Sequence, residues 1–325
     1  MTEKTKPDSL PDLFTIWEAD SIAELSTSTQ RRYRAVFGRF LTWFTQMEQR
    51  PPTLADLHPI TLVGYRGMLQ ETLAATSTIN THLSALRSWC EWLTQQGYLE
   101  TNPTARLKLV GRTEEPAPAA LEPKQVNALL RAVQQTRYPL RNNAIVQMMI
   151  QTGMRIGECA ALQWGDIEMG ERKGRVRIRS GKGDKTRFVP LNQSARQALA
   201  DYAAPLLEVE PRLKAVASVW QNVDALEPLW KSERSTPLSI REMSRMIGQA
   251  IQQAASPGQV PAEATPHSLR HTFATRYLLR HPGDLVGLAR LLGHTSIQTT
   301  QIYVQPTEAE MARRVSQIDL NAYAR

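Results

Sequence analysis

Apolar residues in this chain of 325 recur at helical spacing almost throughout. They switch to strict alternation at one place, RVRIRSGKGDKTRFVPL, residues 175–191. There Val176 and Ile178 alternate with Arg175, Arg177 and Arg179. Gly181, Gly183 and Asp184 supply a turn, and Phe188 and Val189 begin the return strand. Alternation puts successive side chains on opposite faces of a strand, whereas a helix returns to the same face every three to four residues. A single β-hairpin set among helices limits the chain to a mainly α fold with a small β-sheet, and gives that hairpin a basic tip.

The chain divides at LVGRTEEPAPAALEP, residues 109–123, which is rich in Pro and Ala and has no periodicity. A stretch of this kind reads as an interdomain linker. The expected organisation is a polar tail over 1–11, a helical domain over 12–108, a linker over 109–122 and a second domain over 123–325. In the first domain RRYRAVFGRFLTWF sets Tyr33, Phe37, Phe40, Leu41 and Phe44 on one helix face. A second helix is predicted from about Pro59 to Glu71. A third covers STINTHLSALRSWCEWLTQQG, with Ile79, Leu83, Leu86, Cys90 and Leu93 on its apolar stripe. Ser77 or Thr78 is expected to cap its start and Gly97 its end. Its other face carries Asn80, Thr81, Ser84, Arg87 and Ser88: either an ordinary solvated face or one that lies in a DNA groove.

The second domain is predicted to open with helices over 123–136 and 140–152, to break at Thr152-Gly153, and to resume with RIGECAALQW. After Leu191 the pattern is helical again, except that 203–236 carries no usable signal. Hydrophobic residues make up 42% of the chain, enough for each domain to bury a core. The formal net charge is +8, which points to a polyanionic partner, nucleic acid before membrane. Cys90 and Cys159 both fall in apolar helical contexts, which fits a reducing compartment and not a disulfide framework. Residues 1–9 lack an apolar run, so no signal peptide is expected, and no run is long enough to span a membrane.

Five clusters bear on chemistry. In TGMRIGE, Arg155 stands at a helix start, where a cation opposes the macrodipole. A guanidinium held there suits an anion, often a phosphate, with Glu158 as its orienter; the plain alternative is a surface ion pair. Lys182, between two glycines at the hairpin tip, is either a solvated lysine or a mobile proton donor. In PHSLRH, His267, Arg270 and His271 share a helix face. A zinc-protease reading fails, because Ser268 stands where the Glu of that motif belongs. His267 and Arg270 are expected to face a site, with His271 packed behind. The last two clusters lie in LLGHTSIQTTQIY, where His294 and Tyr303 bracket a polar, Thr-rich run. Tyr303 is either a half-buried packing residue or a nucleophile held at a polar surface. Two arginines, a lysine, two histidines and a tyrosine amount to a phosphate clamp plus a nucleophile, with no metal set among them.

The strings TGMRIGE, GKGDKTRFVPL, HSLRHTFAT and LLGHTSIQTTQIY, in that order, resemble the tyrosine recombinase (phage integrase) family, and within it the Xer-like two-domain type. TSTINTHLSALRSW and GYLETNP are similar to that family's N-terminal domain and its exit, so the resemblance covers roughly residues 12–310. It implies a helical core-binding (SAM-like) domain followed by a mixed α/β catalytic domain. It implies a site-specific DNA recombinase that cuts and rejoins strands through a 3′-phosphotyrosyl link, without cofactor, metal or ATP. In that scheme Arg155 and Arg270 bind the scissile phosphate and Tyr303 attacks it. Lys182 protonates the leaving 5′-oxygen, His267 handles the tyrosine proton, and His294 bonds a non-bridging oxygen. Glu158 stands behind Arg155, and Asn80, Thr81, Ser84 and Arg87 contact DNA. The implied partners are double-stranded DNA and three further protomers in a tetrameric synapse, or a paired second recombinase. The tail 307–325 would be a helix docking on a neighbour. The implied location is cytoplasmic and nucleoid-associated, with no arm-binding domain before residue 12. Two alternatives stay open: a type IB topoisomerase-like nicking-resealing enzyme, and a DNA-binding protein of the same fold without catalysis.

Overall fold

The computed structural model describes residues 9–25, 27–73, 75–111, 120–179 and 186–293. The chain forms two compact units, Met1–Glu115 and Pro116–Arg325.

Among the described residues, the first unit has four α-helices: α1 (Leu10–Trp17), α2 (Thr27–Glu48), α3 (Pro59–Thr72) and α4 (Thr76–Gln95). The predicted stripes on α2 and α4 are the faces that meet. Phe14 of α1 stacks on Phe37 of α2 with ring centroids 4.0 Å apart, and Trp89 of α4 meets Phe37 edge-on at 4.9 Å. Ile79, Leu83, Leu86, Cys90 and Leu93 are all buried. Burial also pushes the Cys90 thiol up to about 12, so it is an inert packing group. Three details differ from expectation. Leu10 and Leu13 are fully buried, so the core begins inside the segment read as a polar tail. Helix α4 starts at Thr76 behind an Ala75 cap, so Ser77 and Thr78 lie in its first turn and make no cap. Residues 107–110 belong to this unit. Asn80 donates Nδ2–H to Val110 O and accepts from Val110 N, both at 2.9 Å, and Arg87 donates to Leu107 O at 2.7 Å. Gly97 ends α4 as predicted, with φ 71°.

The second unit opens with α5 (Pro123–Gln134) and α6 (Pro139–Thr152). Helix α6 is the spine. Ala144, Ile145, Val146 and Met148 are completely buried, and α5, α8 (Gln193–Ala203) and α11 (Pro266–Arg280) pack around it. The hairpin is present as β2 (Gly174–Ile178) and β3 (Arg187–Pro190), paired antiparallel with Val176 opposite Val189. A further strand, β1 (Ile167–Met169), precedes them and makes a sheet of order β1-β2-β3. It lies between the helix expected from RIGECAALQW and the hairpin, where the sequence pattern indicates no element. The helix predicted from RIGECAALQW is only α7 (Ile156–Ala160), followed by a 3-10 turn over Trp164–Asp166. Buried Asp166 accepts from Arg177 Nε at 3.1 Å and also from Arg179, which ties two outward arginines to the base of the hairpin.

The segment 203–236, without a motif, turns out to brace this region. It contains α9 (Leu213–Val219) and then doubles back. Trp220 packs on Trp164 with centroids 4.5 Å apart. Leu229 N donates to Leu162 O at 2.8 Å, and fully buried Trp230 donates Nε1–H to Cys159 O at 2.8 Å. The backbone around α7 is therefore held from behind. Helix α10 (Ile240–Ala255), α11 and α12 (Leu285–Leu292) complete the described unit.

Candidate active site

Gly153 closes α6 in the left-handed region, with φ 65°. A Cβ there would come within 2.4 Å of the Phe273 ring and 2.8 Å of Leu292. Glycine is thus required twice, by its φ and by the close approach of α11 and α12. The turn delivers the chain to Arg155, the residue before α7. That helix has five residues, too few for the macrodipole reading of Arg155. What holds Arg155 is Glu158. Arg155 N donates to Glu158 Oε2 at 2.7 Å, and Arg155 Nη1 donates to Glu158 Oε1 at 3.0 Å. The Arg155 side chain is 49% exposed, so the rest of its guanidinium faces solvent.

Glu158 has a second, buried partner that the sequence reading did not single out. Arg187, the first residue of β3, donates Nη1 to Oε1 at 2.9 Å and Nη2 to Oε2 at 2.8 Å. Its Nε donates to Leu291 O at 2.8 Å. Burial disfavours the charged form of Glu158. The bonds from Arg187 and from Arg155 N–H, with both guanidinium charges, outweigh it and hold the carboxyl below its usual range. A signal for Arg187 was present in the sequence. It shares the inward register of Val189 on an alternating strand, where an arginine needs a buried acceptor.

Arg270 lies on α11 and is 2% exposed. It donates Nη1 to Gly153 O at 2.7 Å and Nη2 to Leu292 O at 2.9 Å. It therefore ties the end of α6 to the end of α12, and it is more enclosed than the sequence reading supposed. His267 sits in the first turn of the same helix, at the surface. Ser268, buried, accepts from Thr265 N at 3.0 Å through its hydroxyl, so its role at that position is to cap the helix. Partial loss of hydration lowers the His267 pKa, and the charges of Arg270 and then Arg155 push the same way. The imidazole is neutral near pH 7 and can take a proton. His271 is half-buried and also shifted down, first by burial and then by His267. The structure thus brings Arg155, Glu158, His267 and Arg270 together, with Arg187 behind them. Lys182, His294, Tyr303 and the tail 307–325 lie outside the described residues.

In the first unit, Asn80, Thr81 and Ser84 line a groove of about 330 Å³ with Arg32 and Tyr33. Arg87 is separate from it, turned to Leu107 O, and the amide of Asn80 is also engaged with Val110.

Residues 119–310 match the model of the phage integrase family, and residues 21–97 match the phage integrase N-terminal SAM-like domain. The chain belongs to the phage integrase family. Tyrosine recombinase XerC of Pediococcus pentosaceus is 33% identical over 249 residues, covering 76% of this chain and 77% of the relative. Tyrosine recombinase XerD of Halalkalibacterium halodurans is 31% identical, over 88% of this chain and 90% of its own length. Among solved structures, the Tn1549 transposon integrase in complex with a circular intermediate DNA superposes with a TM-score of 0.70 at 16% identity, covering 96% of this chain and all of that one, which supports the shared fold. The mainly α fold, the SAM-like first domain and the tyrosine recombinase resemblance all stand. The matches to XerC and XerD are of similar strength, so they do not choose between the two.

Proposed function

We propose that the chain is a site-specific DNA recombinase that cuts and rejoins duplex DNA through Tyr303. The observation that carries this is the convergence of Arg155, Arg270 and a neutral His267 on one spot, in a chain of the phage integrase family. A guanidinium that keeps solvent-facing donors suits the non-bridging oxygens of a phosphodiester and the charge that builds on them during in-line displacement. Tyr303 Oη forms a bond to phosphorus as the bond to the 5′-oxygen breaks. The phenolic proton passes to His267, and the leaving 5′-oxygen takes a proton from Lys182. His294 donates to a non-bridging oxygen. The product is a 3′-phosphotyrosyl link with a free 5′-hydroxyl. A 5′-hydroxyl from a partner strand reverses the step, so no nucleotide is hydrolysed.

Asn80, Thr81, Ser84 and Arg87 are the proposed DNA contacts of the first unit. Arg32 lines the groove with Asn80, Thr81 and Ser84. Asn80 and Arg87 are held by structural bonds and the Thr81 hydroxyl donates to Ser77 O at 2.8 Å, which makes Ser84 and Arg32 the better candidates for contacting DNA. Four protomers, or two each of this chain and a second recombinase, would synapse two sites, with 307–325 docking on a neighbour. The division into a first domain, widened from 12–108 to take in Leu10 and the segment through Val110, a linker ahead of Pro123 and a second domain over 123–325 belongs to the same proposal, as does association with the nucleoid. The test is denaturing capture of covalent protein–DNA complexes from cells that express the chain, with the attached ends sequenced and a Tyr303→Phe strain as control. Adducts at a recurrent short site, absent from the control, are expected. Binding at such a site without adducts from either protein would favour a DNA-binding protein of this fold that lacks catalysis.

A further inference from the structure

The Glu158 carboxylate is shared between two arginines of opposite character. Arg187 is 12% exposed and binds it with both Nη atoms, whereas Arg155 is 49% exposed and reaches it with Nη1 alone. Each Glu158 oxygen already has two donors: Arg155 Nη1 and Arg187 Nη1 on Oε1, Arg155 N and Arg187 Nη2 on Oε2. A carboxylate facing a lone arginine normally takes both ends of its fork. Here Arg187 and the backbone N–H occupy that geometry, and Arg155 is left with one bond to the protein. Its Nε and Nη2 have no protein partner among the described residues. The third donor of Arg187 goes to Leu291 O, one residue before the carbonyl held by Arg270. A Cβ on Gly293 would come within 2.6 Å of the Arg187 guanidinium, so the end of α12 is laid directly against it.

We propose that Arg187 is a positioning residue for strand cleavage: by saturating Glu158 it keeps the outer donors of Arg155 turned to the scissile phosphate, and by holding Leu291 O it fixes the end of α12 from which the chain runs on to His294. This rests on the reading of the site as a tyrosine recombinase centre. Lysine cannot replace it, because one ammonium does not present three donors in the plane that Glu158 and Leu291 require. Without Arg187, Glu158 captures Arg155 in a two-pronged pair and withdraws it from the phosphate.

The test uses the full chain and a nicked duplex carrying the site recovered by covalent capture, so that cleavage traps the protein on DNA. Arg187→Lys and Arg187→Met are expected to bind the duplex within about threefold of the parent and to form adduct roughly a hundredfold more slowly, the scale of a misplaced reacting group. With the guanidinium gone, the Glu158 carboxyl rises toward its usual range, and protonating it releases Arg155, so the gap between the parent and Arg187→Met rates should narrow on acidification. Glu158→Gln combined with Arg187→Met should cost little more than the worse single change, since both act through one carboxylate. Variant rates within threefold of the parent would overturn the proposal. So would losses that multiply in the double variant, or losses of DNA binding that simply track a lower melting temperature, which mean a purely structural role. Tyr303→Phe in the same assay must give no adduct. Adduct from that protein would remove the nucleophile assignment as well, whereas a clean Tyr303→Phe result beside unimpaired Arg187 variants would remove only this inference.

Discussion

Two glycines separate the demands that a left-handed turn makes on a residue. Gly153 has φ 65° and no room for a Cβ, while Gly258 has φ 71° and open space. Gly258→Ala should cost about 1 kcal/mol of left-handed strain, and Gly153→Ala at least about 2 kcal/mol more because Phe273 and Leu292 must move. Urea unfolding of the two variants checks the difference; equal costs would mean that the turn at Gly153 is looser than described. The histidines give a pH prediction with a defined sign. His267 and His271 are both held below the ordinary histidine pKa in the fold. The unfolded chain therefore binds more protons just below about pH 6.5, and stability falls as the pH drops through that value. Cleavage needs the neutral His267 ring, so its rate should stay level through neutral pH and decline only below the ordinary histidine range. A rate that rises on acidification would contradict the role of His267 as proton acceptor.

At the scale of elements, the part of the second unit that carries no recognisable pattern is what braces the site. Trp230 reaches across from 203–236 to the carbonyl of Cys159, immediately behind Glu158. Trp230→Phe keeps the ring and leaves that carbonyl without its donor, at about 1–2 kcal/mol, whereas Trp230→Ala should cost about 3–5 kcal/mol. Denaturation of both variants, read beside cleavage, tests whether this brace supports α7. In the first unit Asn80 holds Val110 by two bonds. Asn80→Ala should speed tryptic cutting after Lys108, and an unchanged rate would mean that the two bonds contribute nothing to holding the segment. Helices α2, α4 and α6 were legible because their apolar residues repeat over several turns. Strand β1 was not, because three residues are too few for a period. The path of 203–236 was not, because its order comes from contacts such as Trp220 on Trp164 and Leu229 on Leu162, which are distant in sequence. Arg187 was hidden for another reason: a basic residue in a basic hairpin reads as one more solvated arginine until its register is counted.

At the scale of the molecule, a net charge of +8 and a family of DNA recombinases make a specific demand on binding. If several phosphates are contacted, affinity for the duplex should fall by roughly a thousandfold between about 50 and about 200 mM salt. The chemical claim is narrower and has a more direct test. Purified chain would be incubated with duplex carrying the captured site, with a chelator present and no nucleotide, and the denatured adduct digested with trypsin. Cleavage after Arg290 and Arg313 yields the peptide 291–313, which contains Tyr303. The account predicts that this peptide carries the 3′-phosphate of the cut strand through Tyr303, and that the other strand end bears a 5′-hydroxyl. Attachment at a different residue, attachment to a 5′-phosphate, or adduct that forms only when metal is restored would contradict it.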